Sequence, residues 1–305
     1  MQSVKRLLII VDVNDHDEQV YNFVNRITGV LDSEHLSFLH VSEDLDIPKS
    51  ILDKYPGLVP SIDESINKSV EDKLEEYEHI KAHKSVVVET KGGSKLDTIS
   101  SYIRENDIDL LVIGRSSSSD QEVDLIQKMI RRSTCSVALV PPTVDKSIDN
   151  ILVPMDFSPN SRMSLELAAQ LSSQHPEMHV HGLHIYKLPH GYFKTGLSKE
   201  EFIEEMVTHA QQEFEEFAKK CTIDRDRFTM HYRMQNGDGI PYMINRFAFA
   251  NKIDAIVLGS RGGNTLSTFF LGRVTEALID QDQYLPMFVI KNKGENLKIW
   301  EALSA

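Results

Sequence analysis

Cysteine, tryptophan and long apolar runs are all scarce in this chain of 305 residues, which has two cysteines and one tryptophan. Cys135 and Cys221 are too few for a disulfide framework and lack the paired spacing of a zinc site. No apolar run approaches the ~20 residues that a membrane-spanning helix needs. The first run, 7–11, is short, is followed by Asp12 and has no small-residue cleavage site, which favours a strand over a signal peptide. We therefore expect a cytoplasmic protein without membrane insertion.

Positive charge is scarce as well, because 46 Asp and Glu residues outnumber 33 Lys and Arg residues and give a net charge of −13. A protein that binds DNA or RNA needs a basic face for the phosphate backbone. The composition therefore indicates that nucleic acid is not a partner. The hydrophobic fraction of 41% is enough for globular cores, and the length allows about two domains of ~150 residues.

The two halves of the chain repeat each other at a distance of roughly 145 residues, which is the sign of a duplicated domain. LLIIVDVND resembles ILVPMDFSP, so that Asp12 stands opposite Asp156. LSFLHV resembles VHGLHI, so that His40 stands opposite His184, and IDLLVIGRS resembles IDAIVLGSR. We predict a first domain over residues 1–145 and a second over 146–305, whose tail at 292–305 is linker-like and then helix-like.

Each half alternates short apolar runs with segments of helical periodicity, which predicts an α/β domain with a parallel sheet. Capping boxes, Ser61 with Glu64 and Ser198 with Glu201, predict the N-termini of two long helices. Ser158 followed by proline predicts another helix start. Trp300, in the tail, is expected to dock on the other domain or on a partner chain.

A glycine-rich stretch in the second half carries the strongest functional signal. An apolar run at 255–258 is followed by Gly259, Gly262 and Gly272, and a helical pattern then begins. A strand, a glycine loop and a helix offer backbone N–H groups to a phosphate, because no Cβ keeps the anion away.

The spacing Gly-x-x-Gly-x9-Gly is similar to the nucleotide motif of the universal stress protein family. The resemblance covers both halves and implies two tandem flavodoxin-like or Rossmann-like domains. Each would have a five-stranded parallel sheet in the order 3-2-1-4-5, sandwiched by helices. This order places strands one and four side by side, and open α/β sheets bind ligands at the carboxyl ends of such strands.

The resemblance implies that the second domain binds an adenine nucleotide, ATP in the first place, with Mg²⁺ only as it accompanies the nucleotide. Asp156 would contact the nucleoside, the backbone of Ile185 would read the adenine, and the glycine loop would hold the phosphates. Arg273 stands where ATP-binding members carry Ser or Thr, and its guanidinium could pair with phosphate oxygens instead. The candidate binding residues are Pro154, Asp156, Ile185, Leu258, Gly259, Arg261, Gly262, Gly272, Arg273 and Val274.

Each of these residues also has a purely structural interpretation. Asp156 could cap the helix that follows it, Ile185 could be a core strand residue, and the glycines could serve a tight loop only. The first half has Ser117 in place of the second glycine and Glu122 in place of Gly272, so we predict that it does not hold ATP by the same mode.

No catalytic signature is present, so we expect a binding protein that at most hydrolyses ATP slowly. The alternative is an interaction scaffold that works without nucleotide, or a binder of another small ligand or metal. The histidines at 179, 181 and 184 do not favour zinc, because only two of them share a strand face. A homodimer and an unknown protein partner are further expectations.

Overall fold

The computed structural model describes residues 4–42, 49–55, 57–115, 119–143, 147–261, 271–281 and 284–294. The chain divides into two compact units, Gln2–Asp145 and Lys146–Lys291, and residues 292–294 of the tail group with the first unit. Each unit is described by itself below. Trp300 and the predicted tail helix lie outside the described residues.

The first unit contains a five-stranded parallel sheet in the order β3-β2-β1-β4-β5. Its strands are β1 (Arg6–Val11), β2 (His35–Ser42), β3 (Val86–Gly92), β4 (Leu110–Gly114) and β5 (Ser136–Val140). Its helices are α1 (Asp17–Thr28), α2 (Lys49–Lys54), α3 (Leu58–Leu74), α4 (Glu78–Lys81), α5 (Lys95–Glu105) and α6 (Asp120–Arg132).

The second unit repeats this arrangement, with the strand order β8-β7-β6-β9-β10. Its strands are β6 (Asn150–Pro154), β7 (His179–Tyr186), β8 (Phe228–Met234), β9 (Ala255–Gly259) and β10 (Met287–Ile290). Its long helices are α7 (Pro159–Gln174), α8 (Lys199–Ala218), α9 (Ile240–Ala250) and α10 (Arg273–Gln281). In each unit the strand order is the predicted 3-2-1-4-5.

The central strands are buried on both faces, which explains why they read as continuous apolar runs rather than as alternating patterns. Residues 7–11 of β1 and 255–258 of β9 are all buried. The outer strands β3 and β8 are partly exposed, and their sequences are accordingly more polar.

The duplication extends to individual hydrogen bonds. One carboxylate oxygen of Asp109 accepts the backbone N–H groups of Lys5 and Arg6, each at 2.9 Å, just before and at the start of β1. Asp254 does the same at the start of β6, where it accepts from Asn150 at 2.9 Å and from the preceding residue at 3.1 Å. Each aspartate therefore links the start of the first strand of its unit to the loop that precedes the fourth strand.

The structure confirms one predicted capping box and corrects the other. Ser198 Oγ accepts the N–H of Glu201 at 3.2 Å, and Glu201 Oε2 accepts the N–H of Ser198 at 2.8 Å. The box at Ser61 is wrong, because α3 begins at Leu58, with Gly57 at its N-cap, and Ser61 lies inside the helix. No helix in the described part of the chain is long and apolar enough to cross a membrane.

Candidate functional site

A cleft of about 590 Å³ opens where β6 and β9 end, at the carboxyl edge of the second sheet. Because the chain leaves these neighbouring strands toward opposite sides of the sheet, a crevice forms between the loops that follow them. Nine of the ten sequence-predicted residues line it: Pro154, Asp156, Ile185, Leu258, Gly259, Arg261, Gly272, Arg273 and Val274. The tenth, Gly262, lies outside the described residues.

Asp156 is an exposed side chain in the turn between β6 and α7. Its Oδ1 accepts the N–H of Ser158 at 3.1 Å and the hydroxyl of Ser161 at 2.5 Å. The intervening Phe157 has a positive φ of 59°, which is costly for a residue with a side chain. The N-cap of α7 is Ser158, not Asp156. The carboxylate therefore stabilises the strained turn, and the same residue lines the cleft.

Ile185 presents its backbone to the cleft. In a regular strand the N–H and C=O of one residue point to one neighbouring strand, and those of the next residue point to the other. The carbonyl of Leu183 accepts from Met155, just past the end of β6, and the carbonyl of Tyr186 accepts from Gln235, just past the end of β8. Ile185 therefore points toward the β6 side, beyond the point where β6 has ended. An N–H and a C=O side by side match the donor and acceptor edge of a purine base.

Gly259 is required by packing. A Cβ at this position would lie 2.8 Å from Cβ of Asn160 in α7 and 3.1 Å from the carbonyl oxygen of Arg261. The Gly259 carbonyl accepts the hydroxyl of the buried Thr275 at 3.0 Å, which ties β9 to the first turn of α10. The structural interpretation of this glycine therefore holds, and it is compatible with a role in binding.

Positive charge dominates the part of the cleft that faces α10. Arg273 is the first residue of that helix and is exposed, and the half-buried Arg261 follows β9. A helix N-terminus and guanidinium groups both attract anions. Asp156 is the one carboxylate among the described residues that line the cleft.

The sequence analysis did not predict the remaining lining residues as site residues. They are Met155, Ser161, Leu183, His184, Ile240, Ile244, Leu271 and Thr275. Ile240 and Ile244 form an apolar wall from one face of α9, and their helical spacing reads as ordinary core. The packing role of His184 recurs in both units, since its Nδ1 lies 3.0 Å from the carbonyl of Met155, and His40 Nδ1 lies 2.9 Å from the carbonyl of Val11.

The corresponding cleft of the first unit is smaller, about 360 Å³, and carries different charges. Asp12, the counterpart of Asp156, forms an ion pair with Lys95 at 2.5 Å. Asp17 takes the place of Ser161 and accepts the N–H groups of Asp12 and Val13 at 3.1 and 2.6 Å. Burial raises the pKa of Asp17, and these N–H bonds oppose that shift. Glu122 also lines this cleft, near the start of α6.

The comparison with protein families places both units in one family. The model of the universal stress protein family matches residues 3–141 and again residues 147–281. The chain therefore belongs to the universal stress protein family, as a tandem of two such domains. No curated protein matches the sequence at a significant level.

Solved structures with both domains show the same fold. A universal stress protein from Archaeoglobus fulgidus DSM 4304 is 19% identical, with a TM-score of 0.62, over 95% of this chain and 97% of that one. A putative universal stress protein from Pseudomonas aeruginosa UCBPP-PA14 is 14% identical, with a TM-score of 0.65, over 99% and 98%. At these identities the likeness establishes the fold alone.

Proposed function

We propose that the second unit binds an adenine nucleotide, in the first place ATP, as a regulatory signal in a stress response. The observation that carries the proposal is the convergence of Asp156, Ile185, Gly259 and Arg273 on one cleft from four separate segments of the chain. The volume of about 590 Å³ lies within the range of roughly 300–1,000 Å³ that is typical of small-ligand sites.

The chemistry of the cleft suits the parts of such a ligand. The backbone of Ile185 and the apolar wall of Ile240 and Ile244 would take the base, and Asp156 would accept from the ribose hydroxyls. Arg261, Arg273 and the start of α10 would face the phosphates, with Mg²⁺ arriving together with the nucleotide. The site offers binding and orientation, so we propose a nucleotide sensor rather than an enzyme.

The proposal is tested by titrating purified protein with ATP and AMP in a calorimeter, after native mass spectrometry for co-purified nucleotide. The variant Gly272→Glu copies into the second cleft the carboxylate that Glu122 supplies in the first. Like charges in contact cost several kcal/mol, so ATP affinity should fall by ~100-fold or more. Gln281→Glu adds the same charge at the exposed far end of α10 and is the matched control, with affinity close to wild type.

The absence of any heat at millimolar ATP would refute nucleotide binding. Equal affinity of Gly272→Glu and Gln281→Glu would contradict binding at this cleft, because the nucleotide would then bind elsewhere.

An interaction scaffold that works without nucleotide is the second candidate, and one observation favours it. Two aromatic side chains are exposed two turns apart on α9, Phe249 at 90% and Tyr242 at 54%. Large exposed aromatic groups are typical of protein interfaces. If this face binds a partner, Phe249→Ala should abolish co-purification of that partner and leave the ATP titration unchanged.

A further inference from the structure

Three histidines lie close together on the neighbouring strands β7 and β8 of the second sheet. His179 and His181 belong to β7, and His231 belongs to β8. His181 Nδ1 lies 3.2 Å from His231 Nε2, and the two rings are stacked with centroids 5.4 Å apart. The rings of His179 and His181 are 4.8 Å apart, edge to face. We call these three residues the histidine cluster.

The hydrogen-bond and ring partners of the cluster are uncharged side chains. His181 Nε2 lies 3.3 Å from the Asn150 side-chain oxygen on β6, and His179 Nε2 lies 2.8 Å from the hydroxyl of Thr229 on β8. From α9, Phe247 packs its ring 4.8 Å from that of His231 and 6.5 Å from that of His181. Arg233, on β8, lies 5.8 Å from the centre of the same Phe247 ring.

The ionisable groups that act on the cluster all oppose a further positive charge. The carboxylates of Asp254 and Asp149 at this end of the sheet accept hydrogen bonds from other groups: Asp254 from the N–H groups at the start of β6, and Asp149 from the hydroxyl of Ser147. Burial lowers the pKa of His181 to about 4, with His179 and His231 contributing in the same direction. Burial also lowers the pKa of His231, and interactions with Arg233 and His179 lower it further. At neutral pH the rings of His181 and His231 are therefore uncharged.

The sign of the pH dependence follows from these pKa values. An unfolded histidine titrates near 6.5, so at pH values between about 4 and 6.5 the unfolded chain binds more protons than the folded one. The stability that the uncharged rings provide is complete above 6.5 and is lost as the pH falls toward the folded-state value. Protonation of His181 and His231 in the folded state would place two cations in contact and disrupt the packing of β7, β8 and α9.

Helix α9 connects the cluster to the cleft. Phe247 packs against His231 and His181, whereas Ile244 and Ile240, one and two turns earlier, line the cleft. Residues three and four apart share a helix face, so a shift of Phe247 moves Ile244 with it. The same helix, α9, therefore contacts the histidine cluster and forms the apolar wall of the cleft.

We propose that the histidine cluster is a proton sensor for the cleft, so that acidification loosens α9 and weakens binding of the adenine nucleotide. This inference rests on the function proposed above. The first unit provides the contrast, because Ser37, Glu89 and Tyr102 occupy the places of His181, His231 and Phe247. The first unit has no histidine at these three places, so the proposed response belongs to the second unit.

The test compares full-length wild type with His181→Asn and His231→Gln, each of which keeps a polar group and removes the titration. His209→Gln, at an exposed histidine of α8, is the matched control. ATP affinity is measured at about pH 7.5 and about pH 5, and hydrogen exchange of the α9 peptide is measured on the same samples. ATP protonates in the same way with every variant, so only differences between variants count.

Wild type and the control should lose at least ~10-fold more affinity on acidification than either cluster variant, which corresponds to about one pKa unit of coupling. The α9 peptide should lose protection in the same two proteins only. Parallel pH profiles and parallel exchange in all four proteins would overturn the proposal. If no protein binds ATP at either pH, the nucleotide function fails, and the exchange data alone decide whether the cluster controls α9.

Discussion

Replacing Gly259 with alanine tests whether the end of β9 is as tightly packed as the structure indicates. The added Cβ would lie 2.8 Å from Cβ of Asn160, about 1 Å inside the normal contact distance of ~3.8 Å between carbons. It would also lie 3.1 Å from the carbonyl oxygen of Arg261. Because the Cβ of Asn160 is fixed to the α7 backbone and the carbonyl is main chain, neither can rotate away. Relief requires the strand and helix to separate.

Overpacking of this kind costs roughly 1–3 kcal/mol in a well-packed interior. For a domain of ~150 residues this is a fall in the melting temperature of roughly 3–10 °C, measured by thermal unfolding and checked by urea titration. ATP affinity should fall as well, since Gly259 lines the cleft and its carbonyl holds Thr275.

Gly239→Ala is the matched control in the same unit. A Cβ there meets nothing nearer than Pro241 Cδ at 3.8 Å. Gly239 is the N-cap of α9, where alanine is less favourable than glycine, but alanine also makes the unfolded chain less flexible, and the two effects on stability offset each other. In the Gly259→Ala background, Asn160→Gly should recover part of the loss, because it removes the atom at 2.8 Å. An unchanged melting temperature for Gly259→Ala, or the same loss in the control, would refute the packing argument.

Three further predictions concern single side chains. Ser198→Ala should destabilise the second unit by about 1 kcal/mol in urea, since the capping box then loses its acceptor for an N–H group of α8; no change would show that the helix end is satisfied by water. Asp254→Ala should cost about 2–3 kcal/mol, because two backbone N–H groups at the start of β6 lose a charged acceptor, whereas Asp254→Asn should recover roughly half. Lys95→Ala should change stability by less than ~0.5 kcal/mol, because the side chain of its partner Asp12 is 45% exposed and solvent screens the pair, and a larger loss would contradict a screened ion pair.

The repeat and the strands could be predicted from sequence because both depend on local composition. Strands buried on both faces must be apolar throughout, so 7–11 and 255–258 are visible as runs. The adjacency of the first and fourth strands in each unit depends on contacts roughly 100 residues apart, and only the family resemblance supplied it. Ser61 misled because a Ser-x-x-Glu pattern also occurs inside helices, and the earlier start at Leu58 carries no polar cap signal.

The part of the site that the sequence analysis missed also depends on contacts between segments far apart in the chain. Ile240 and Ile244 have the spacing of core residues, and periodicity cannot tell a wall of the core from a wall of a cleft. The contact between His181 and His231 joins residues 50 positions apart and exists only because β7 and β8 pair in this register. Arg273, by contrast, was predicted as a site residue from the family resemblance, and it lines the cleft at the start of α10.

The two clefts show how a duplicated backbone can carry opposite charge. The turn after the first strand is the same in both units, with a positive φ at Val13 and at Phe157. In the first unit the buried carboxylate of Asp17 accepts the N–H of Asp12 in this turn. In the second unit the hydroxyl of Ser161 accepts the corresponding N–H, that of Asp156. The exchange of a carboxylate for a hydroxyl removes one negative charge from the second cleft, and Arg273 adds a positive one. A polyanion should therefore prefer the second unit even though both turns have the same shape.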